Sequence, residues 1–103
     1  MDGYAAVSCA KATLEALNRS LAKEFGPLGL RSNLIQAGCT LTPSFKMIPH
    51  HETLATQAKH RNPLGRLTTP DDIAKVVAFL ATDQAQWMNG SILTVDGGES
   101  VCG

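Results

Sequence analysis

From Tyr4 to Phe25 the chain contains neither glycine nor proline, and this unbroken stretch constrains the fold more than any other feature. Val7, Ala10, Leu14, Leu17 and Leu21 recur at alternating steps of three and four residues, so a helix gathers them into one apolar stripe. Gly26-Pro27 ends that helix, because glycine accepts a left-handed cap and proline cannot extend the backbone ladder. Leu30 to Ala37 then mixes apolar and polar residues over the length of a strand, and Gly38 closes it.

From Cys39 to Leu67 the chain reads as a long connection carrying Pro43, Pro49 and Pro63, with one helical piece at about Glu52 to His60. Thr69 is a good N-cap, Pro70 suits the first helical position, and Asp71 and Asp72 complement the positive end of the dipole. Ile73, Val76, Val77 and Leu80 give the following helix an apolar face. Met88-Asn89-Gly90 leads into a second strand, Ser91 to Val95, ended by Asp96-Gly97-Gly98. Helix, strand, loop with helix, helix, strand is the alternation of a parallel α/β sheet, whose helices cross back over its faces. Two strands do not complete such a sheet, and a parallel sheet is normally covered on both faces, so the pattern is expected to be the end of a larger α/β domain.

Composition narrows the function. The chain has 103 residues, nine Lys plus Arg against nine Asp plus Glu, and no formal net charge, which removes the electrostatic footprint of a nucleic-acid or anionic-membrane partner. Its longest apolar run is too short to span a bilayer. Cys9, Cys39 and Cys102 are odd in number and lack CxxC spacing, so neither a disulfide framework nor a zinc knuckle is expected, and a reducing cytoplasm fits best. Met1-Asp2-Gly3 does not open a charged leader with an apolar core, so no secretory signal is expected. No metal site is expected either: His50, His51 and His60 have no carboxylate or cysteine placed to complete one, and read as surface residues.

Tyr4 and Lys11 lie seven positions apart, nearly two helical turns, so they share a face about 10 Å apart along the axis. The lysine stem leans back toward the N-terminus and narrows that gap. A cation near a phenol lowers its pKa and makes it a better proton donor to a developing oxyanion. Glu15 and Asn18, on adjacent parts of the helix, read as solvated or interface residues. Cys9 has no histidine near it in sequence and is not expected to be a nucleophile.

The run Tyr4-Ala5-Ala6-Val7-Ser8-Cys9-Ala10-Lys11-Ala12-Thr13-Leu14-Glu15-Ala16-Leu17 resembles the catalytic helix of the short-chain dehydrogenase/reductase family. The resemblance continues through Arg31-Ser32-Asn33-Leu34-Ile35-Gln36-Ala37-Gly38, Asn62-Pro63-Leu64-Gly65-Arg66, Pro70-Asp71-Asp72-Ile73-Ala74 and Asn89-Gly90 to Val95-Asp96-Gly97-Gly98. Common members of the family place the catalytic Tyr four residues before the Lys, where this chain has Val7. The enoyl-acyl-carrier-protein reductases use Tyr-x6-Lys, which Tyr4 and Lys11 fit, although those enzymes often have Met where this chain has Val7. Two readings stay open: a divergent enoyl reductase-like site, or an ordinary member that has lost its catalytic Tyr.

The resemblance implies the C-terminal part of a Rossmann-like doubly wound parallel sheet, with residues 1–103 forming the end of a single domain whose dinucleotide-binding half is absent. It implies an NAD(P)H-dependent oxidoreductase in which Tyr4 stabilises the oxyanion of an enoyl thioester in fatty acid synthesis and Lys11 holds the nicotinamide ribose. Ala37-Gly38-Cys39-Thr40-Leu41-Thr42 resembles the family's Pro-Gly-x-Ile-x-Thr segment, which gives Gly38, Thr40 and Thr42 a place beside the nicotinamide carboxamide. Residues 44–61 fall where the family has its substrate lid, so Phe45, Met47, Ile48 and Leu54 are candidate walls of an acyl channel. The implied substrate is an acyl thioester, carried on acyl carrier protein, and the cofactor is NADH or NADPH. The implied assembly is a homo-oligomer, a homotetramer, through the first helix and last strand. A 3-oxoacyl-thioester or other carbonyl reductase is the alternative substrate reading, and a non-catalytic oligomerisation module is the alternative of another class. Without the glycine-rich turn of the family's first half, the 103-residue polypeptide by itself is expected to bind no nicotinamide cofactor and to be inactive.

Overall fold

The computed structural model describes residues 4–102, apart from the side chains of Tyr4, Ala5 and Val7. Its elements are α1 (Tyr4–Phe25), β1 (Leu34–Ala37), α2 (Pro43–Lys46), α3 (His51–Arg61), α4 (Pro70–Leu80) and β2 (Ile92–Val95), with 3-10 turns at Gly26–Leu28, Asp83–Ala85 and Glu99–Cys102. The two strands form one sheet. Leu34 N–H donates to Ser91 O at 2.9 Å and Gly38 N–H to Val95 O at 3.2 Å, so both strands advance together and run parallel. This is the α/β order read from the sequence.

The chain divides into two compact units, Met1–Leu34 with Leu80–Leu93, and Ile35–Phe79 with Thr94–Gly103. The boundary falls inside both strands, so the first unit holds the strand starts and the second the strand ends.

In the strand-start unit, α1 leaves through a 3-10 turn that carries Pro27 in its first positions and closes on Gly29 at φ 84°. The left-handed residue is therefore Gly29 and not Gly26, because proline's fixed φ continues a tight right-handed turn before the chain can reverse. The expected strand from Leu30 begins only at Leu34. Residues 31–33 are held by side chains and by a single backbone bond, Gly90 N–H to Ser32 O at 2.6 Å, instead of a continuous ladder. Arg31 donates to Leu80 O at 2.8 Å, Ala85 O at 2.8 Å and Met88 O at 3.2 Å. Leu80 is the last residue of α4, so the guanidinium also sits where a helix dipole favours a cation. Asn33 donates to Met88 O at 3.0 Å and accepts from Ser91 N–H at 3.1 Å. Asn89 accepts from Ser32 N–H at 3.0 Å and donates to Ala22 O at 3.3 Å. Asn18, expected on the surface, is 4% exposed: it donates to Ser91 O and accepts from the Ser32 hydroxyl at 2.7 Å. Leu14 and Leu17 of the apolar stripe are 50% and 48% exposed.

In the strand-end unit, the Thr-Pro pair at 42–43 starts α2 just as Thr69-Pro70 precedes α4. Thr42 Oγ1 accepts from Phe45 N–H at 3.1 Å. The sequence alone predicts connection here, since four residues are too few to show a helical period. Ahead of α4, Thr69 and Asp72 cap each other: Asp72 N–H donates to Thr69 Oγ1 at 3.3 Å, and Thr69 N–H to Asp72 Oδ2 at 2.8 Å. Arg66 grips the same carboxylate with two bonds of 2.7 and 2.9 Å. These partners, Arg66 first, hold Asp72 well below the usual carboxylate range. Asp71 pairs with Lys75 one turn on, at 3.1 Å.

Among the described residues, the buried apolar side chains are Ala58 and Ala85, while Asn18, Asn62, Thr68 and Asp96 are buried polar ones. Order in both units thus owes more to side chains meeting backbone groups than to a large apolar core. No described helix is long and apolar enough to cross a membrane.

Candidate functional site

The strand-end unit carries an open cleft of about 500 Å³ lined by Ala37, Gly38, Cys39, Thr40, Thr42, Phe45, Pro70 and Ile73. In a parallel sheet, ligands bind at the carboxyl ends of the strands, and this cleft lies beside the exit of β1. Gly38 is required there by close approach: a Cβ would collide with Thr68 Oγ1 and stand 2.8 Å from Glu99 Oε2 and 2.9 Å from Asp96 Cβ. The backbone of Cys39 is held on both its peptides, as Cys39 N–H donates to Glu99 Oε2 at 2.9 Å and Cys39 O, on the following peptide, accepts from Thr68 N–H at 3.1 Å. Burial, and then the Glu99 carboxylate, push the Cys39 thiol up, while Arg61 acts the other way. That shift works against a thiolate.

The two threonines are left in complementary states. Thr40 Oγ1 donates its proton to Gly38 O at 2.9 Å, which leaves its lone pairs to accept. Thr42 Oγ1 accepts from Phe45 N–H, which leaves its proton to donate. A carboxamide needs one acceptor for its N–H and one donor for its oxygen. Thr40, Thr42 and Phe45 are thus brought to one cleft, with Phe45 as an apolar wall that also meets the His51 ring edge-on at 6.4 Å. Met47 is 84% exposed and Ile48 half-buried; neither lines this cleft. His51 is a packing residue, while His50 is exposed at φ 62°. Tyr4 and Lys11 share α1 in the strand-start unit, with Lys11 exposed. The Tyr4 side chain lies outside the described residues.

Four residues that brace the strand ends are not site candidates by sequence, although Asn62 and Asp96 stand in motifs of the family resemblance. Asn62, 5% exposed, donates to Asp96 O at 2.9 Å and accepts from Leu64 N–H at 2.8 Å. Asp96 accepts from Gly98 N–H and Ser100 N–H, each at 2.9 Å, and the Ser100 side chain first, then these two bonds, lower its pKa. Glu99 holds Cys39 N–H and Arg61, and Thr68 holds Cys39 O. Gly97 and Gly98 take φ of 66° and 93°, conformations that side-chain-bearing residues resist. The signal for Asn62 and Asp96 was an Asx residue directly before Pro63 and Gly97, a turn-forming pair. Thr68 and Glu99 carried no such local mark.

Residues 1–100 match the family model described as Enoyl-(Acyl carrier protein) reductase. The chain belongs to the short-chain dehydrogenase/reductase family. An uncharacterized oxidoreductase of Schizosaccharomyces pombe is 40% identical over 97 residues, which are 93% of this chain and 38% of that protein. A cis-4-hydroxycyclohexanecarboxylate dehydrogenase of Sinomonas cyclohexanicum is 42% identical over 91 residues, 88% of this chain and 36% of the relative. The crystal structure of the Bacillus cereus enoyl-acyl carrier protein reductase with NADP+ and indole naphthyridinone superposes with a TM-score of 0.92 at 33% identity, over 100% of this chain and 40% of that one. The chain therefore spans less than half the length of these short-chain dehydrogenase/reductase relatives.

Proposed function

We propose that the intact natural protein is a nicotinamide-dependent oxidoreductase that reduces an enoyl thioester. The observation that carries this reading is the Tyr4-x6-Lys11 spacing on one 22-residue helix, supported by the complementary hydroxyls of Thr40 and Thr42 at the strand ends. When bound, NADH or NADPH supplies the hydride for the β-carbon of the substrate. Tyr4 donates to the thioester oxygen as that oxygen gains charge, and the Lys11 cation lowers the cost of taking the phenol proton toward it. Lys11 also has the reach and the donors to hold ribose hydroxyls. Thr40 and Thr42 orient the carboxamide, with Gly38 letting the strand exit lie close to its supports. Phe45 offers an apolar surface to the acyl chain, and Met47 and Ile48 extend it.

Acyl carrier protein is the proposed carrier of that thioester. The reading includes a homo-oligomer through α1 and β2, supported by the exposed Leu14, Leu17 and Ile92. It also includes a cytoplasmic site of action, supported by three free cysteines.

The relative from Sinomonas, named for a secondary-alcohol substrate, favours a second reading: reduction of a ketone or 3-oxoacyl thioester by the same residues. Assays of the intact protein with crotonyl and acetoacetyl thioesters separate the two. Oxidation of the cofactor with crotonyl thioester is expected, and Tyr4→Phe is expected to lower kcat about 100-fold or more. Turnover of the oxo substrate alone would replace the enoyl reading by the second one.

A further inference from the structure

We infer that Glu99 is a positioning residue that sets the orientation of the nicotinamide-facing threonines through the Cys39 peptide; this rests on the reading of Thr40 and Thr42 as carboxamide partners. Glu99 follows the Gly97-Gly98 turn, whose positive φ angles and Asp96 bonds to Gly98 and Ser100 bring the chain back toward the exit of β1. Its carboxylate, only 13% exposed, divides its two oxygens. Oε2 accepts from Cys39 N–H at 2.9 Å and Oε1 accepts from Arg61, the last residue of α3, at 3.1 Å. Both are charge-assisted bonds, which are shorter and stronger than neutral ones. Thr68 N–H holds Cys39 O, the carbonyl of the following peptide, at 3.1 Å.

The Cys39 peptide links directly to the site. Gly38 O, the acceptor of the Thr40 proton, belongs to the peptide plane that ends at Cys39 N, so turning that plane turns the carbonyl with it. A rotated Gly38 carbonyl would redirect the Thr40 hydroxyl and the lone pairs left for a carboxamide N–H. Gly38 has no Cβ, and one would stand 2.8 Å from Glu99 Oε2. The absence of a side chain is what lets the carboxylate reach the backbone. A surface ion pair with Arg61 would need none of this geometry. Through Arg61 the same carboxylate ties the end of the lid helix to the strand exit.

The test uses the intact protein with two readouts. The first, independent of any cofactor, is amide hydrogen exchange at Cys39. The second is the ratio of affinities for oxidised nicotinamide dinucleotide and its 3-acetylpyridine analogue, which lacks the amide N–H. Glu99→Ala is expected to speed Cys39 exchange about tenfold or more and to reduce the affinity ratio about threefold or more, the scale of one lost hydrogen bond. Glu99→Asp keeps the charge but shortens the reach, is expected to behave like Glu99→Ala, and carries the test if the alanine variant fails to fold. Glu99→Gln retains a carbonyl acceptor and is expected to stay within about threefold of wild type on both readouts. Unchanged exchange in the alanine or aspartate variant overturns the inference, and so does faster exchange with an unchanged ratio. Glu99→Gln as damaging as Glu99→Ala overturns it as well. Thr40→Ala separates the two levels: if it lowers the ratio while the Glu99 variants do not, only the positioning role fails. If Thr40→Ala leaves the ratio unchanged, the carboxamide reading fails and the role of Glu99 with it.

Discussion

The starts and the ends of the same two strands are braced by the same device and left in different chemical states. At the starts, Arg31, Asn33, Asn89 and Asn18 bond to backbone groups. At the ends, Asn62, Asp96 and Glu99 do the same, but there Thr40 and Thr42 also line a cleft, one hydroxyl with an acceptor left and the other with a donor. A two-stranded ladder of four residues per strand leaves many backbone groups unpaired, and amide and carboxylate side chains satisfy them cheaply because each offers two polar atoms in a plane. The difference teaches that bracing alone does not make a site. A site arises where the bracing residues complete the backbone and leave neighbouring side chains with capacity unspent.

The largest expected effect comes from the tightest approach. Gly38→Ala forces a methyl into Thr68 Oγ1, Glu99 and Asp96, and is expected to cost about 3 kcal/mol or more, read as a shift in the urea midpoint. No counterpart of this sensitivity exists at Gly29, where a Cβ would meet nothing within 4 Å and only its φ of 84° resists substitution. Gly29→Ala is therefore expected to cost about 1 kcal/mol. Equal costs at the two glycines would remove the strand exit's special status.

Next come the two buried asparagines, one in each unit. Asn62→Ala and Asn18→Ala each strand two partners and are each expected to cost about 2 kcal/mol. Only Asn62→Ala is expected to weaken cofactor binding as well. Cofactor binding lost equally in both variants would erase the distinction between the units.

Acid acts on the strand-end unit. Asp96 and Asp72 have pKa values lowered by their hydrogen bonds, so the folded state binds protons less readily than the unfolded chain. Their stabilisation is present above the unfolded carboxylate pKa of about 3.9 and is lost as pH falls through it toward the folded values. Melting temperature measured from pH 7 down to about pH 2 is expected to fall most steeply below about pH 4, and Asp96→Asn is expected to flatten that fall. A wild-type profile already flat there would contradict the assignment. The smallest effect is expected at Met47, 84% exposed: Met47→Ala is expected to change stability by less than about 0.5 kcal/mol, so any change in acyl-chain preference would report substrate contact alone.

The sequence was most informative where a signal was local. The gap in glycine and proline before Gly26, and the Thr69-Pro70-Asp71-Asp72 start, located α1 and α4 because helix formation and capping depend on neighbours a few residues apart. The parallel pairing was legible from the order of elements. The start of β1 was not, since whether Leu30 to Asn33 pair in a ladder depends on Met88, Asn89 and Ser91, nearly sixty positions away. Thr40 and Thr42 were legible as candidates, but their opposite hydrogen-bonding states follow from Gly38 O and Phe45 N–H and could not be read from residue type. Asn18 reads from sequence as a solvated or interface residue, yet it is buried and bonded to Ser32 and Ser91 of the same chain. Glu99 was invisible, because the contact that matters, with Cys39 N–H, is between residues with no sequence relation.

The most direct test of a carboxamide-reading pair at the strand ends is the affinity of the intact protein for oxidised nicotinamide dinucleotide relative to its 3-acetylpyridine analogue, measured for wild type, Thr40→Ala and Asn18→Ala. Wild type is expected to prefer the carboxamide by about tenfold, the worth of one hydrogen bond of roughly 1.4 kcal/mol. Thr40→Ala is expected to bring the ratio to within about twofold, and Asn18→Ala to leave it unchanged. A preference that survives Thr40→Ala, or one that Asn18→Ala abolishes, would contradict the placement of the site at the ends of the strands.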